Sequence, residues 1–304
     1  KSESGFEIVI KNAKLYTGDS SVSGDAIAIA GRKILAVGAS AELSARCLGD
    51  CRVIDAAGGF VMPGFHDAHA HPASGGAGYY RVRLYGSSIP SIQASVRQYA
   101  QANPSAPWIV GRGWNASGFG ARFPTRHDLD GGESIRPVVL IDSDGHQLWA
   151  NTAAIRAAGI TKATPDPAGG TIVRDPQGEP AGVFLENAAD LLYEKIPEPT
   201  LEQRRAYILK GEEDGIHAGV TAFQGGDVGL ATIRAYAELD AESKLKQRAF
   251  LWATLAASDE DFAKVVELDR SLPRDGKVRV TAFKGFVDGV ISSYTAALLA
   301  PYQD

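Results

Sequence analysis

The sequence is short of several things, and each shortage removes a class of function. It has only two cysteines, Cys47 and Cys51, too few for a disulfide framework and half of what a four-thiolate zinc site requires. Near a helix-to-strand junction they read as two thiols; a disulfide there would instead indicate an oxidising compartment. No block of five basic residues occurs, and 31 Lys plus Arg against 36 Asp plus Glu leave a net charge of −5. That balance argues against nucleic acid and acidic membrane surfaces as partners. No apolar run approaches the roughly 18 residues of a membrane helix, and the N-terminus lacks a signal peptide's apolar core. The chain therefore reads as soluble. It opens with Lys1 rather than Met, which leaves cytoplasm and periplasm both open. There is no Walker A sequence, no serine in a G-x-S-x-G elbow, no internal repeat, and no third glycine or helix after Gly111-Arg112-Gly113 to complete a dinucleotide fingerprint.

What is present is ample material for a core. The 304 residues are 44% hydrophobic and 22% charged, which predicts two domains or one large barrel. Residues 1–62 read as a small β subdomain. Phe6, Ile8 and Ile10 alternate with polar or outward positions, and residues 26–37 turn at Gly31-Arg32 in a hairpin pattern. Gly58-Gly59 and Pro63-Gly64 then punctuate the chain. Beyond them, from residue 63 to 304, short apolar runs alternate with helical stretches, as in a parallel α/β fold. Strands are predicted at 65–71, 108–111, 137–142, 220–224, 249–254 and 278–287. Helices are predicted at 92–102, 153–158, 201–218, 231–242 and 259–268. The Gly-rich stretch at about 72–136 reads as an insertion above a barrel.

The most informative segment is PGFHDAHAH, residues 63–71. On a regular strand Asp67, His69 and His71 project to one side and His66, Ala68 and Ala70 to the other, toward surrounding helices. Two imidazoles so spaced can grip one divalent ion; they can equally be two polar residues of a Gly-flanked loop. In the insertion, Arg112 and Trp114 could line a substrate pocket or serve as packing residues of an irregular loop.

PGFHDAHAH resembles the first-strand motif of the amidohydrolase superfamily. Residues 111–130, 136–160, 169–189 and 284–302 are similar, in the same order, to segments of its amidohydrolase-3 (YtcJ-like) branch, which includes N-substituted formamide deformylase. The resemblance implies a metal-dependent (β/α)8 TIM-like barrel, incomplete in this chain, with an N-terminal β-sandwich subdomain. It implies that His69 and His71 ligate the more buried of one or two divalent ions, with zinc expected. Lys284 matches a barrel lysine carboxylated in many relatives. A lysine amine forms a carbamate only when deprotonated, as burial beside cations allows; the alternative is a strand-end lysine paired with Asp288. His146 would orient or polarise a substrate carbonyl, or be a satisfied loop histidine. Asp288 would share a face with Lys284 if the strand persists that far. Glu186 matches an acidic position, explained equally well by a helix dipole. His66, His127 and His217 are not assigned to metal.

The implied activity is hydrolysis of an amide or other non-peptide C–N bond in a small-molecule amide or N-acyl substrate, through metal-activated water. The family takes two further histidines and a general-base aspartate from later strands, yet no histidine follows His217. The expectation is an N-terminal portion whose barrel is completed by a C-terminal part; a homodimer is compatible with the resemblance. A non-catalytic barrel acting as a binding or regulatory module, and a related deaminase or lactonase, are the alternatives.

Overall fold

The computed structural model describes residues 5–84, 88–115, 119, 123–143, 145–255, 258–285, 287–288 and 296–301. The chain divides into two compact units, Lys1–Phe65 and His66–Asp304.

In the first unit the strands are β1 (Ile8–Lys11), β2 (Lys14–Leu15), β3 (Ala26–Ala30), β4 (Lys33–Gly38), β5 (Arg52–Asp55) and β6 (Phe60–Val61), with helix α1 (Ser40–Ala45) between β4 and β5. They form a four-stranded sheet in the order β4-β3-β1-β5 and a two-stranded ribbon, β2-β6. The predicted hairpin is β3–β4, antiparallel with Ala30 opposite Lys33. Phe6, Val9, Ala26, Ala28 and Leu43 make its core. The thiol reading of the cysteines is corrected here. Cys47 and Cys51 are joined in a disulfide with Cα atoms 5.2 Å apart. The chain turns tightly between α1 and β5, with the Cys51 N–H donating to Leu48 O, and this brings the two side chains together.

The second unit contains two sheets. Strand β7 (Phe65–Ala70) is followed by α2 (Pro72–Ala77). The chain then builds β8 (Val82–Arg83), α3 (Ile89–Ala102), β9 (Ile109–Trp114), α4 (Arg126–Asp130), β10 (Val138–Asp142), β11 (Gln147–Ala150), α5 (Thr152–Ala157), β12 (Gly170–Arg174), β13 (Pro180–Glu186) and α6 (Asp190–Tyr193). It continues with α7 (Leu201–His217), β14 (Val220–Val228), α8 (Leu230–Ala241), β15 (Arg248–Thr254), α9 (Asp259–Ser271) and β16 (Val278–Lys284). One sheet runs β16-β15-β14-β7, and the other β12-β13-β11-β10-β9-β8. In the first, β14, β15 and β16 pair in parallel.

This division corrects the sequence reading of 108–111 and 137–142 as strands of the same parallel series as β7. Both belong to the six-stranded sheet, where β9 and β10 are parallel but β10–β11, β11–β13 and β12–β13 are antiparallel. Every residue of β10 is buried, because apolar clusters cover both of its faces. A strand buried on both sides reads as a continuous apolar run whatever the direction of its partners. The stretch at 72–136 is also more regular than its glycines suggested, since it holds α3 and β9. Ser88 caps α3, and Thr125 with Asp128 forms a capping box on α4.

The chain's excursion from the four-stranded sheet ends at α7, which packs on α2. Gly76 and Gly211 permit that approach: a Cβ on Gly76 would lie 1.9 Å from Tyr207 O, and one on Gly211 would lie 2.0 Å from Pro72 O. No side chain larger than hydrogen fits at either position, so the close helix pair fixes the turn that carries His71.

Candidate metal centre

The burial of β15 alternates strictly. Ala249, Leu251 and Ala253 enter the core shared with α8 and α9, while Phe250 and Trp252 face the other way. That second face of the four-stranded sheet carries the candidate site. His66 stacks on Phe250 with ring centroids 5.4 Å apart, and His69 meets Trp252 edge-on at 5.3 Å. Two residues three apart in β7 therefore contact the same face of β15, which regular alternation forbids. The break lies at Asp67. Its Oδ1 accepts the N–H of His69 at 3.0 Å, and Asp67 lines a small pocket with His71, Gly211, Phe223 and Gln247. The parity expectation is thus corrected for His66, which does not turn toward the helices.

The same local turn brings His69 and His71 together. Their Nε2 atoms are 3.3 Å apart and their ring centroids 5.2 Å apart. Bonds of about 2.0–2.1 Å from one tetrahedral ion would place two nitrogens about 3.3–3.4 Å apart. The observed separation therefore suits shared ligation. Beside the pair runs the backbone of Gly226 on β14. A Cβ there would stand 3.0 Å from His69 Nε2 and 3.2 Å from His71 Cε1, filling the space in front of the nitrogens. Trp252 is itself held by a hydrogen bond from Nε1 to Gln224 Oε1 at 2.9 Å, which steadies the ring that flanks His69. The donor set, the spacing and the open cradle all fit a divalent ion. Among the described residues no group of three or more His, Cys, Asp and Glu side chains gathers around one point.

Lys284 is the last residue of β16 and pairs with Thr254. Its neighbour Phe283 packs with the helix-side core and stacks on Phe262 at 4.5 Å, so alternation turns Lys284 to the face that bears the histidines. Strands β14 and β15 lie between it and β7. Asp288 falls outside that pattern. Strand β16 ends at Lys284, so the condition for a common face fails. Asp288 is exposed and accepts the Ala297 N–H at 3.0 Å. The neighbouring Gly289 lies outside the described residues, as does Asp144 beside His146.

His146 and Arg112 belong to the six-stranded sheet. His146 sits in the β10–β11 turn, shaped by Asp142 Oδ1, which accepts the N–H groups of Gly145 and Gln147 at 2.8 and 3.0 Å. Its Nδ1 is 2.9 Å from Glu186 Oε2. The carboxylate accepts, so Nδ1 carries the proton and the ring orientation is fixed. Glu186 has φ 48°, a left-handed conformation uncommon outside glycine, so its position is over-determined by its surroundings. The helix-dipole explanation for this acid is replaced by a specific partner. Arg112 donates to Ser143 O at 3.1 Å and lies over the same turn. Trp114 is corrected: it is fully buried, donates Nε1–H to Leu140 O at 2.7 Å, and packs on Trp149, which leaves it no surface for a substrate.

The Tyr193 phenol is pushed up, chiefly by burial; Arg112 and Arg81 pull it down, and Asp142 and Asp190 push it up. Sequence reasoning missed Gly226 and Trp252. A Gly-Gly pair late in an apolar strand was the available signal, since glycine within a strand marks a close approach.

Residues 52–304 match the amidohydrolase family. N-substituted formamide deformylase of Arthrobacter pascens is 30% identical over 297 residues, which cover 93% of this chain and 54% of that protein. Protein LONG AFTER FAR-RED 3 of Arabidopsis thaliana is 33% identical over 217 residues, covering 71% of this chain and 37% of that one. The chain thus spans roughly a third to a half of the length of these relatives. A crystal structure of an uncharacterized metal-dependent hydrolase from Pyrococcus furiosus superposes with a TM-score of 0.74 at 27% identity, covering 94% of this chain and 57% of that one.

Proposed function

Because the chain belongs to the amidohydrolase family, we propose that it carries part of the active site of a metal-dependent hydrolase acting on non-peptide C–N bonds. The four-stranded sheet is one side of a (β/α)8 barrel, and the first unit belongs to a β-sandwich of the same protein. His69 and His71 would hold a divalent ion, zinc being one that imidazole ligands suit. Lys284, on the same sheet face, is the residue that would bridge a second ion as a carbamate. The ion supplies a Lewis acid for the scissile carbonyl and lowers the pKa of water.

The residues of this chain do the rest. Gly226 keeps the approach to the two imidazoles open, and Trp252 excludes water from one edge of His69. His146, its Nδ1 proton fixed by Glu186, orients the acyl oxygen of an amide or N-acyl substrate, and Arg112 holds the turn that presents it. The disulfide of the first unit favours an oxidising compartment, hence the periplasm over the cytoplasm. No described helix is long and apolar enough to cross a membrane.

The observation that carries the reading is the pair of Nε2 atoms 3.3 Å apart over a glycine. The whole protein should hydrolyse an N-substituted formamide such as N-benzylformamide, lose that activity to dipicolinate, and regain it with zinc. Full activity in His69→Ala, or hydrolysis indifferent to chelation, would contradict the proposal.

A further inference from the structure

Where α7 packs on β14 it presents Gly211 and Gly215, and a pocket of about 240 Å³ opens against them. Asp67, Gln247 and the apolar Pro72, Val220 and Phe223 are part of its wall. The space depends on glycine: a Cβ on Gly215 would stand 2.5 Å from Gln247 Nε2. Gln247 is only 2% exposed and is held at two points. Its backbone N–H donates to Glu212 Oε1 at 2.6 Å, and its side-chain Nε2 donates to Val220 O at 2.7 Å. The second bond fixes the carboxamide, because a nitrogen facing a carbonyl turns the oxygen the other way. That oxygen, Oε1, is buried and has no hydrogen-bond partner among the described residues. A buried acceptor in this position is unfavourable unless a ligand supplies the donor.

Asp67 brings a second unspent acceptor. Its Oδ1 takes the His69 N–H, and its other oxygen has no hydrogen bond or ion pair among the described residues. Nothing on the wall answers these oxygens. No Lys, Arg, Ser, Thr, Tyr or Trp lines the pocket, Gln247 Nε2 is committed to Val220, and His71 Nε2 faces His69. Behind Gln247, the buried carboxylate of Glu212 accepts the N–H groups of Lys246 and Gln247 and adds negative potential. A bare metal cation would need several more oxygens than this wall offers. A group that is cationic and rich in N–H at one end and hydrocarbon at the other matches it.

We propose that the pocket binds a small primary amine as its ammonium form: N–H groups donate to Gln247 Oε1 and to the Asp67 carboxylate, and the alkyl chain lies against Val220 and Phe223. The carboxylate supplies a charge-assisted hydrogen bond, the apolar wall supplies burial for the chain, and the buried amide oxygen gains its missing donor. An amine is what hydrolysis of a C–N bond releases, yet the recognition itself stands without the hydrolase reading.

Calorimetric titration of the protein with n-butylammonium chloride, and separately with 1-butanol, tetramethylammonium chloride and potassium chloride at constant ionic strength, tests the site. n-Butylammonium should bind at least about tenfold more tightly than any of the others, since 1-butanol lacks the charge, tetramethylammonium lacks the N–H donors, and potassium lacks both donors and chain. Asp67→Asn keeps an oxygen for the His69 N–H and removes the charge; it should weaken n-butylammonium by roughly 10- to 100-fold. Gln247→Met, which removes Oε1, should cost about threefold to tenfold. Thermal melts of each variant separate lost binding from lost fold. Nuclear Overhauser contacts between the butyl protons and the Phe223 ring should locate the ligand. Equal affinity in wild type and Asp67→Asn, or a bound amine without contact to Phe223, would overturn the site. 1-Butanol, tetramethylammonium or potassium binding as tightly as n-butylammonium would overturn the amine assignment. Zinc uptake by the same samples keeps the two readings apart. Zinc binding with no amine binding sinks this inference alone; amine binding in a protein that takes up no zinc sinks the hydrolase reading alone.

Discussion

The two sheets of the second unit treat their surfaces in opposite ways. Strand β10 of the six-stranded sheet is buried at every position, and the buried polar groups near it are answered except Gln147 Oε1. Trp114 and Trp149 donate to Leu140 O and Thr125 O. Buried Asn151 accepts from the Val138 and Ala154 N–H groups and donates to Glu133 O and Arg136 O. Strand β7 of the four-stranded sheet is exposed from Phe65 to His69, its alternation is broken, and its histidines have each other for neighbours. The first sheet has spent most of its polar groups on the protein itself, while in the second the nearest polar neighbour of each imidazole Nε2 is the other imidazole.

Substitutions can break that contrast. The largest effect should come from Trp149→Ala, a fully buried indole whose loss should destabilise the unit by about 3–5 kcal/mol in urea unfolding. Zinc uptake per folded molecule should not change; a matching loss of zinc affinity would mean that the two sheets are not separable. Next comes Gly226→Ala. Its Cβ would crowd His69 Nε2 at 3.0 Å, so zinc affinity should fall roughly 10- to 100-fold, about 1.4–2.8 kcal/mol, with little change in the unfolding midpoint. Wild-type zinc affinity in that variant would remove Gly226 from the site.

A smaller effect is expected for Glu186→Gln. The pair with His146 is partly exposed, so about 1 kcal/mol of stability is at stake after solvent screening, and zinc affinity should stay as it was. The smallest lies on the helix side of the four-stranded sheet, where Arg205 of α7 bridges to Glu238 of α8 and to Glu242 at its C-terminal end. Hydrogen bonds from Arg205 and Lys244 hold Glu242 at about 2, against an ordinary 4.5. A depressed carboxylate stabilises the fold fully above pH 4.5, and that contribution fades as pH falls toward 2. The stability difference between wild type and Glu242→Gln should shrink over that window and in high salt. A difference that grows on acidification would reverse the assigned sign.

Much of this was legible because it is written in local patterns. The hairpin at Gly31-Arg32, the helices α7 to α9 and the strands β14 to β16 follow from periodicity and punctuation. The H-x-H spacing drew attention to His69 and His71 before any geometry was known. Three things were not legible, for definite reasons. The direction of β10's partners leaves no trace in a strand covered on both faces. Asp67 breaks the pleat by accepting a backbone N–H two residues on, which inverts the side assigned to His66. The partnership of His146 with Glu186 spans 40 residues and needs a left-handed backbone at a non-glycine position, which no propensity signals.

The most direct test of the metal assignment is X-ray absorption at the zinc edge of the zinc-loaded protein. The account predicts two imidazole nitrogens at about 2.0–2.1 Å, both lost in the His69→Ala, His71→Ala double variant. A spectrum with oxygen ligands alone, or one unchanged by the double substitution, would contradict it.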